Sequence, residues 1–366
     1  MKRIPLFLVF ALIFLTGCND TDRGGKSTFW LGADISWATG MEQRGESLYG
    51  FEGDEPVECT ALMKELGLNA LRFRVWVDPV GGECDKYDLL EKCRRAKEQD
   101  MAIMVDFHYS DYWADPSHQP VPKAWRGHSY ETMVEDLRAH TVEVLSLLKD
   151  NGIEPKWVQI GNETTNGLLW ELKPGRGPMG GTKPEYIDTV GHIDFAPEQY
   201  AGFIRAGHEA AKSVFPHVTT IVHLDNGWNF AVYEKNLGVL EKYDVPYDMV
   251  GMSLYPYWAE WNGRHDADGV ISDCIANVQK VYERFGKESI IVETGFVVDE
   301  SKPEVLEEGR RQLARIIREA RDSTAGLCHG VFYWEPECRP DRYHLGAFGS
   351  DGRPTVIMKA YKDNEE

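Results

Sequence analysis

Two short stretches carry side chains able to do acid–base chemistry on one substrate. In Trp157-Val158-Gln159-Ile160-Gly161-Asn162-Glu163, an apolar, β-prone run ends in glycine and then in two polar residues. About 130 residues later, Ser289-Ile290-Ile291-Val292-Glu293-Thr294-Gly295 repeats the design. Runs this short and apolar read as strands covered on both faces, which need not alternate. Glu163 and Glu293 then stand where two buried strands leave their sheet. Carboxyl groups so placed suit glycoside hydrolysis with retention, in which one protonates the leaving oxygen and the other attacks the anomeric carbon, the two lying roughly 5 to 5.5 Å apart. Such a pair needs its pKa values pushed apart, one group protonated near neutrality and one ionised.

The elements that must position the pair follow from periodicity. Strands are predicted at Phe29–Trp37, Ala70–Trp76, Ala102–His108, Trp157–Ile160, Val218–His223, Met249–Ser253, Ser289–Thr294 and Gly330–Trp334. Helical spacing falls between them: Pro56 to Gly67, Tyr87–Gln99, Tyr130–Lys149, Glu198–Val214, Val232–Lys242, Ile271–Phe285 and Pro303–Arg321, with a last helix at Val356–Tyr361. Two long segments, Tyr109–Gly127 and Thr164–Pro197, read as loops, the first rich in Trp, His, Asp and Pro in the manner of a binding loop. Eight strands alternating with helices predict a single-domain α/β fold, a (β/α)8 TIM barrel over residues 29–366. An open doubly wound sheet is the alternative, weakened by the lack of a Gly-rich phosphate fingerprint after strand one.

Laid side by side, the C-terminal strand ends carry Asp34, Arg74, His108, Asn162, Glu163, His223, Tyr255, Glu293 and Trp334. In a barrel these ends converge on one mouth. One glutamate at a strand end is more often solvated or salt-bridged than catalytic, but a cluster at every strand end is harder to dismiss. Glu293 is the candidate nucleophile, which Arg74 could hold ionised by charge and hydrogen bonds. Glu163 is the candidate acid/base. Asn162 could hydrogen-bond the sugar 2-hydroxyl, Tyr255 could orient the nucleophile and Trp334 could floor the sugar site. For each of these secondary residues alone, a structural role competes evenly.

Composition bounds the partners. With 42% hydrophobic and 27% charged residues the chain describes a soluble globular protein, and a net charge of −19 argues against nucleic acid, whose phosphates it would repel. Eleven tryptophans, many in loops, suit sugar faces. Residues 1–17 read as a lipoprotein signal peptide: Met1-Lys2-Arg3 is basic, Ile4–Leu15 is apolar but too short to span a bilayer, and Leu15-Thr16-Gly17-Cys18 resembles the bacterial lipobox. A lipid anchor at Cys18 with a flexible tether over 18–28 would put the protein on a membrane, exported to a periplasmic face or the cell surface. Six further cysteines allow 15 pairings, among which sequence does not choose. None has close metal-type spacing with histidine, so zinc is not expected, and no cofactor is implied.

Several motifs together resemble a known family. Gly32-Ala33-Asp34-Ile35-Ser36-Trp37, Leu71-Arg72-Phe73-Arg74-Val75-Trp76, Asp106-Phe107-His108-Tyr109-Ser110-Asp111-Tyr112-Trp113-Ala114-Asp115-Pro116, Gln159-Ile160-Gly161-Asn162-Glu163 and Phe332-Tyr333-Trp334-Glu335-Pro336 resemble those of glycoside hydrolase family 53 endo-β-1,4-galactanases, within the (β/α)8 clan of retaining glycosidases. The resemblance implies endo-hydrolysis of β-1,4-galactan in type I arabinogalactan, with Glu163 as proton donor and Glu293 as nucleophile. It implies substrate binding by Asp34, Trp37, Arg74, His108, Asp111, Trp113, Asn162, His223, Tyr255 and Trp334. Some members carry a calcium loop after the seventh strand; here Phe296–Pro303 offers only Asp299 and Glu300, where calcium takes six to eight oxygens, so no metal is expected. Another β-1,4-glycanase of the clan (glucan, mannan or xylan) is the first alternative. A glycan-binding lipoprotein without catalysis is the second, and the presence of both carboxylates speaks against it.

Overall fold

The computed structural model describes residues 28–173 and 183–363. The signal segment, Cys18 and the tether as far as residue 27 lie outside the described residues. Eight parallel strands close into a barrel: β1 (Trp30–Asp34), β2 (Ala70–Val75), β3 (Ala102–Phe107), β4 (Trp157–Ile160), β7 (Thr219–Leu224), β8 (Met249–Leu254), β9 (Glu288–Thr294) and β10 (Cys328–Trp334), with β10 pairing back to β1. Each is short because it is buried on both faces and ends where a polar residue meets the mouth. The two remaining strands, β5 (Glu171–Leu172) and β6 (Tyr186–Asp188), form a separate antiparallel pair. That pair lies in the segment expected to be a loop, too short in period to announce itself.

The outer layer is helical: α2 (Cys59–Glu65), α3 (Lys86–Glu98), α4 (Tyr130–Asp150), α5 (Pro197–Val214), α6 (Phe230–Lys242), α8 (Ala267–Phe285) and α9 (Pro303–Asp322). Local chemistry sets their ends. Asp85 accepts from Tyr87 N and Asp88 N ahead of α3, Ser129 accepts from Thr132 N ahead of α4, and Gly286 stops α8 in the left-handed conformation. Two short helices missing from the periodicity reading, α1 (Ala38–Gln43) and α7 (Pro256–Trp261), follow β1 and β8 directly at the mouth. The expected C-terminal helix at Val356–Tyr361 is a 3-10 helix.

Strand alternation divides the interior in two. Outward side chains such as Leu71, Phe73, Val75, Val158 and Ile160 join the helices in one large core. Inward ones, Ala70, Met104, Trp157, Ile221, Met249, Ile290, Val292 and Phe332, plug the barrel. Space there is tight. A Cβ on Gly32 would come 2.3 Å from the Phe332 ring, so only glycine fits. Above this plug the inward positions turn polar. The six described cysteines are free thiols, all buried, and no disulfide closes the barrel among the described residues.

Candidate active site

Each central carboxylate depends on a local departure from regular strand geometry. After β4, Gly161 (φ 81°) and then Glu163 itself (φ 46°) are left-handed, turning the chain so that Glu163 hangs over the mouth. Glycine takes this conformation freely; for glutamate it stores strain, the kind of cost that marks functional positions. On β9, Ile290 and Val292 both point inward, so strict alternation would aim Glu293 at the helices. The register between β8 and β9 shifts here, Met252 opposing Ile291 and Ser253 opposing Glu293. The extra residue, Val292, makes a bulge that re-aims Glu293 into the mouth. One oxygen of Glu163 and one of Glu293 then lie within 4.8 Å of each other.

Below the pair lies Arg72, fully buried on β2. Its Nη1 is 2.9 Å from Asp34 Oδ2 and 2.9 Å from Glu293 Oε1, and its Nη2 is 2.8 Å from both Asp106 Oδ2 and Asn162 Oδ1. Only a planar, multi-donor guanidinium can hold that many acceptors at once. Tyr255 Oη donates to the other Glu293 oxygen at 3.1 Å. Among the described residues no cation pairs with Glu163; Ser253 Oγ donates to its Oε1 at 2.6 Å. His223 contacts Ser253 through Nε2 at 2.8 Å, while its Nδ1 lies 3.3 Å from the Glu163 backbone N and 3.0 Å from Asn162 Oδ1.

These surroundings separate the two acids. Burial raises Glu163 well above the usual carboxylate range, and the charges of Glu293 and Asp225 raise it further; Ser253 only partly offsets them. Glu293 comes to about 7 in all: burial lifts it, Arg72 and Tyr255 pull it down, and the charges of Asp106 and Asp34 raise it. The proton the pair keeps therefore resides on Glu163. His223 is held neutral by burial and by the neighbouring Arg72.

The remaining predicted residues sort by their partners. Arg74 does not touch Glu293: it ion-pairs with Glu335, and the residue two positions earlier, Arg72, takes the expected place. Both point inward, but at different depths of the barrel. Asp34 and His108 are buried with their polar atoms committed, Asp34 to Ser36 and Arg72, His108 to Asp106, Trp76 and Ala114 N. Asp111 accepts from Asp78 N and Lys123 N, pinning two loop segments. His223 has both ring nitrogens engaged as above. Asp34, His108 and His223 have all their polar side-chain atoms engaged inside the protein. They are supports, because a buried polar side chain must spend its hydrogen bonds inside the protein. Trp37, Trp113 and Trp334 are half-buried and stacked edge to face, with centroids 5.5 to 6.3 Å apart. Asn162 donates to Ala114 O at 2.8 Å and keeps a second amide hydrogen. Sequence reasoning missed Arg72, Asp106, Gln159 and Ser253; their inward parity on β2, β3, β4 and β8 was the available signal.

Two carboxylate groupings could in principle hold a metal, Glu163–His223–Glu293 and Glu335–Glu337–Cys338. Neither donor set fits. In the first, His223 offers no uncommitted nitrogen and Arg72 lies against Glu293; in the second, Arg74 lies against Glu335.

Comparison with known proteins agrees with this architecture. A Niallia circulans protein described as uncharacterized, from the bgaB 5′ region, is 32% identical over 335 residues, 87% of this chain and 86% of its own. A Bacillus subtilis endo-β-1,4-galactanase is 27% identical over 342 residues, 87% of this chain and 72% of its own. Among solved structures, the GH53 catalytic domain of Ignisphaera aggregans superposes with a TM-score of 0.77 at 26% identity, covering 91% of this chain and 95% of that one. The family profile of glycosyl hydrolase family 53 matches residues 30–360, nearly the whole barrel, and the chain belongs to that family.

Proposed function

We propose that the protein cuts internal β-1,4-galactosidic bonds of type I arabinogalactan by double displacement, with retention at the anomeric carbon. The observation that carries this reading is the close approach of Glu163 and Glu293 in opposed electrostatic settings. The spacing belongs to retaining rather than inverting geometry, where the carboxyl groups stand roughly 6.5 to 9.5 Å apart. The galactanase name of the Bacillus subtilis relative supports the substrate.

In the first step Glu163 gives its proton to the departing glycosidic oxygen while the Glu293 carboxylate bonds to the anomeric carbon. Glu293 is then an uncharged ester, so the like charge that raised Glu163 is gone. Its pKa falls, which fits it to act as base. In the second step the Glu163 carboxylate takes a proton from water as that water's oxygen displaces Glu293, restoring both groups. The spare amide hydrogen of Asn162 suits the sugar 2-hydroxyl, Tyr255 steadies Glu293, and Trp334 with Trp37 and Trp113 offers ring faces to the sugar.

Reducing-end release by the protein lacking residues 1–18 tests the reading on β-1,4-galactan, with mannan, xylan and cellulose alongside. Release from galactan alone supports it. Cleavage of another glycan keeps the mechanism and replaces the substrate. We also propose that Cys18 is lipidated and anchors the exported protein, on the strength of Leu15-Thr16-Gly17-Cys18 behind a short apolar run. Cys18→Ala should move the protein from the membrane to the soluble fraction; retention on the membrane would remove that proposal.

A further inference from the structure

Arg74 is buried beside the mouth with an unusual set of neighbours. Its Nη1 binds Glu335 and lies 4.0 Å from Asp34, while Nε and Nη2 have no hydrogen-bond partner among the described residues. Aromatic rings take their place. The guanidinium carbon is 4.2 Å from the Trp113 centroid, 5.1 Å from Trp76 and 5.4 Å from Trp37. Uncommitted guanidinium N–H groups against indole faces are a cation–π contact, strengthened here by desolvation. The same Trp37 and Trp113, with Trp334, form the half-buried aromatic cluster of the mouth.

The anion that holds Arg74 is itself held. Glu335 is left-handed (φ 49°), with its backbone N donating to Asp34 O at 2.9 Å. Glu337, fully buried, has a carboxylate oxygen within 4.8 Å of one of Glu335. Backbone strain in a non-glycine residue persists only where its surroundings over-determine it. Arg74, held between the buried carboxylates of Glu335 and Asp34 and set under three indoles, has little freedom to move.

We propose that Arg74, clamped by Glu335, is a positioning residue that fixes the planes of Trp113 and Trp37 as the carbohydrate-binding platform. It acts through the rings and touches no reacting atom. The inference rests on the proposed galactan reading.

The test is binding of β-1,4-galactotetraose by calorimetry in the Glu163→Gln background, with and without Arg74→Lys. Lysine keeps the charge on Glu335 but loses the planar face that stacks on indole. The expected result is about a tenfold weaker Kd, and in the active protein a similar rise in KM with kcat changed less than about threefold. Adding Trp113→Ala to Arg74→Lys should weaken binding no further than Trp113→Ala alone, since both act through one platform. Unchanged Kd in the lysine variant, or a loss confined to kcat, overturns the proposal. Should Arg74→Lys fail to fold, Glu335→Gln, which keeps the clamp's shape and removes its charge, must weaken Kd likewise; a folded Glu335→Gln protein of unchanged affinity overturns it too. If the Glu163→Gln reference binds no galactotetraose, the galactan reading itself fails, an outcome distinct from equal binding by reference and variant.

Discussion

Arg72 Nη1 lies 2.9 Å from Glu293 Oε1 at the floor of the mouth, and the same guanidinium reaches Asp34, Asp106 and Asn162. One cation thus compensates three buried carboxylates. Arg72→Met would leave Glu293 and Asp106 without that guanidinium and Asp34 with only Arg74, 4.0 Å away, and losing one partner of a buried pair costs about 3 to 5 kcal/mol. We expect a loss of unfolding free energy on that scale, and a corresponding fall in Tm, by calorimetry. Arg72→Lys should rescue only part of it, because an ammonium cannot span the same acceptors.

Glu163→Gln and Glu293→Gln should each lower kcat on galactan by about three orders of magnitude or more, with circular dichroism unchanged. Near-normal turnover in either variant would remove that residue from the mechanism.

The strain in the site predicts a gain as well as a loss. Glu163 is raised by burial and by the negative charges of Glu293 and Asp225. A folded-state carboxyl pKa above its unfolded value means the native state binds more protons, so stability falls as pH rises through that interval. Glu163→Gln should therefore be more stable than the parent at neutral and alkaline pH, by about 1 kcal/mol, or some 2–4 °C. The gain should vanish below the unfolded carboxyl value, about pH 4. Melting curves across pH 4 to 8 measure it; a gain that grows on acidification would contradict the sign.

Ser253 donates to Glu163 Oε1 and so favours the charged form. Ser253→Ala should raise the Glu163 pKa further and move the alkaline limb of the pH–rate profile upward. A limb that stays in place would show that another group sets it.

Gly32→Ala would drive a methyl group to 2.3 Å from the Phe332 ring. The inner plug has no slack for this, and overpacking of a core typically costs about 1 to 3 kcal/mol. Urea unfolding should show the loss, while Gly45→Ala, with open space around it, should cost only the strain of its positive φ.

Much of this was legible in the linear chain, for physical reasons. Buried parallel strands are apolar runs, and the polar residue that ends each one is conspicuous, so the barrel and the two glutamates could be read directly. Depth within the barrel could not. Arg72 and Arg74 share inward parity, and only the stagger of neighbouring strands decides that the first meets Glu293 and the second Glu335. The bulge at Val292 was equally hidden: alternation counted from Ile290 points Glu293 the wrong way. Short mouth helices such as α7 span too few residues for periodicity to register.

The six buried thiols give the fold a set of internal clocks. They are spread over α2, α3, α8, β10 and two loops, and a thiol reagent reaches each only when its own neighbourhood opens. Labelling rates read by mass spectrometry would rank those openings: Cys328 on β10 reports on the barrel wall, Cys59 and Cys274 on the helical layer, and Cys338 on the loop that carries the Arg74 clamp. The protein therefore carries native probes for where its barrel loosens first, at positions that need no mutation to introduce them.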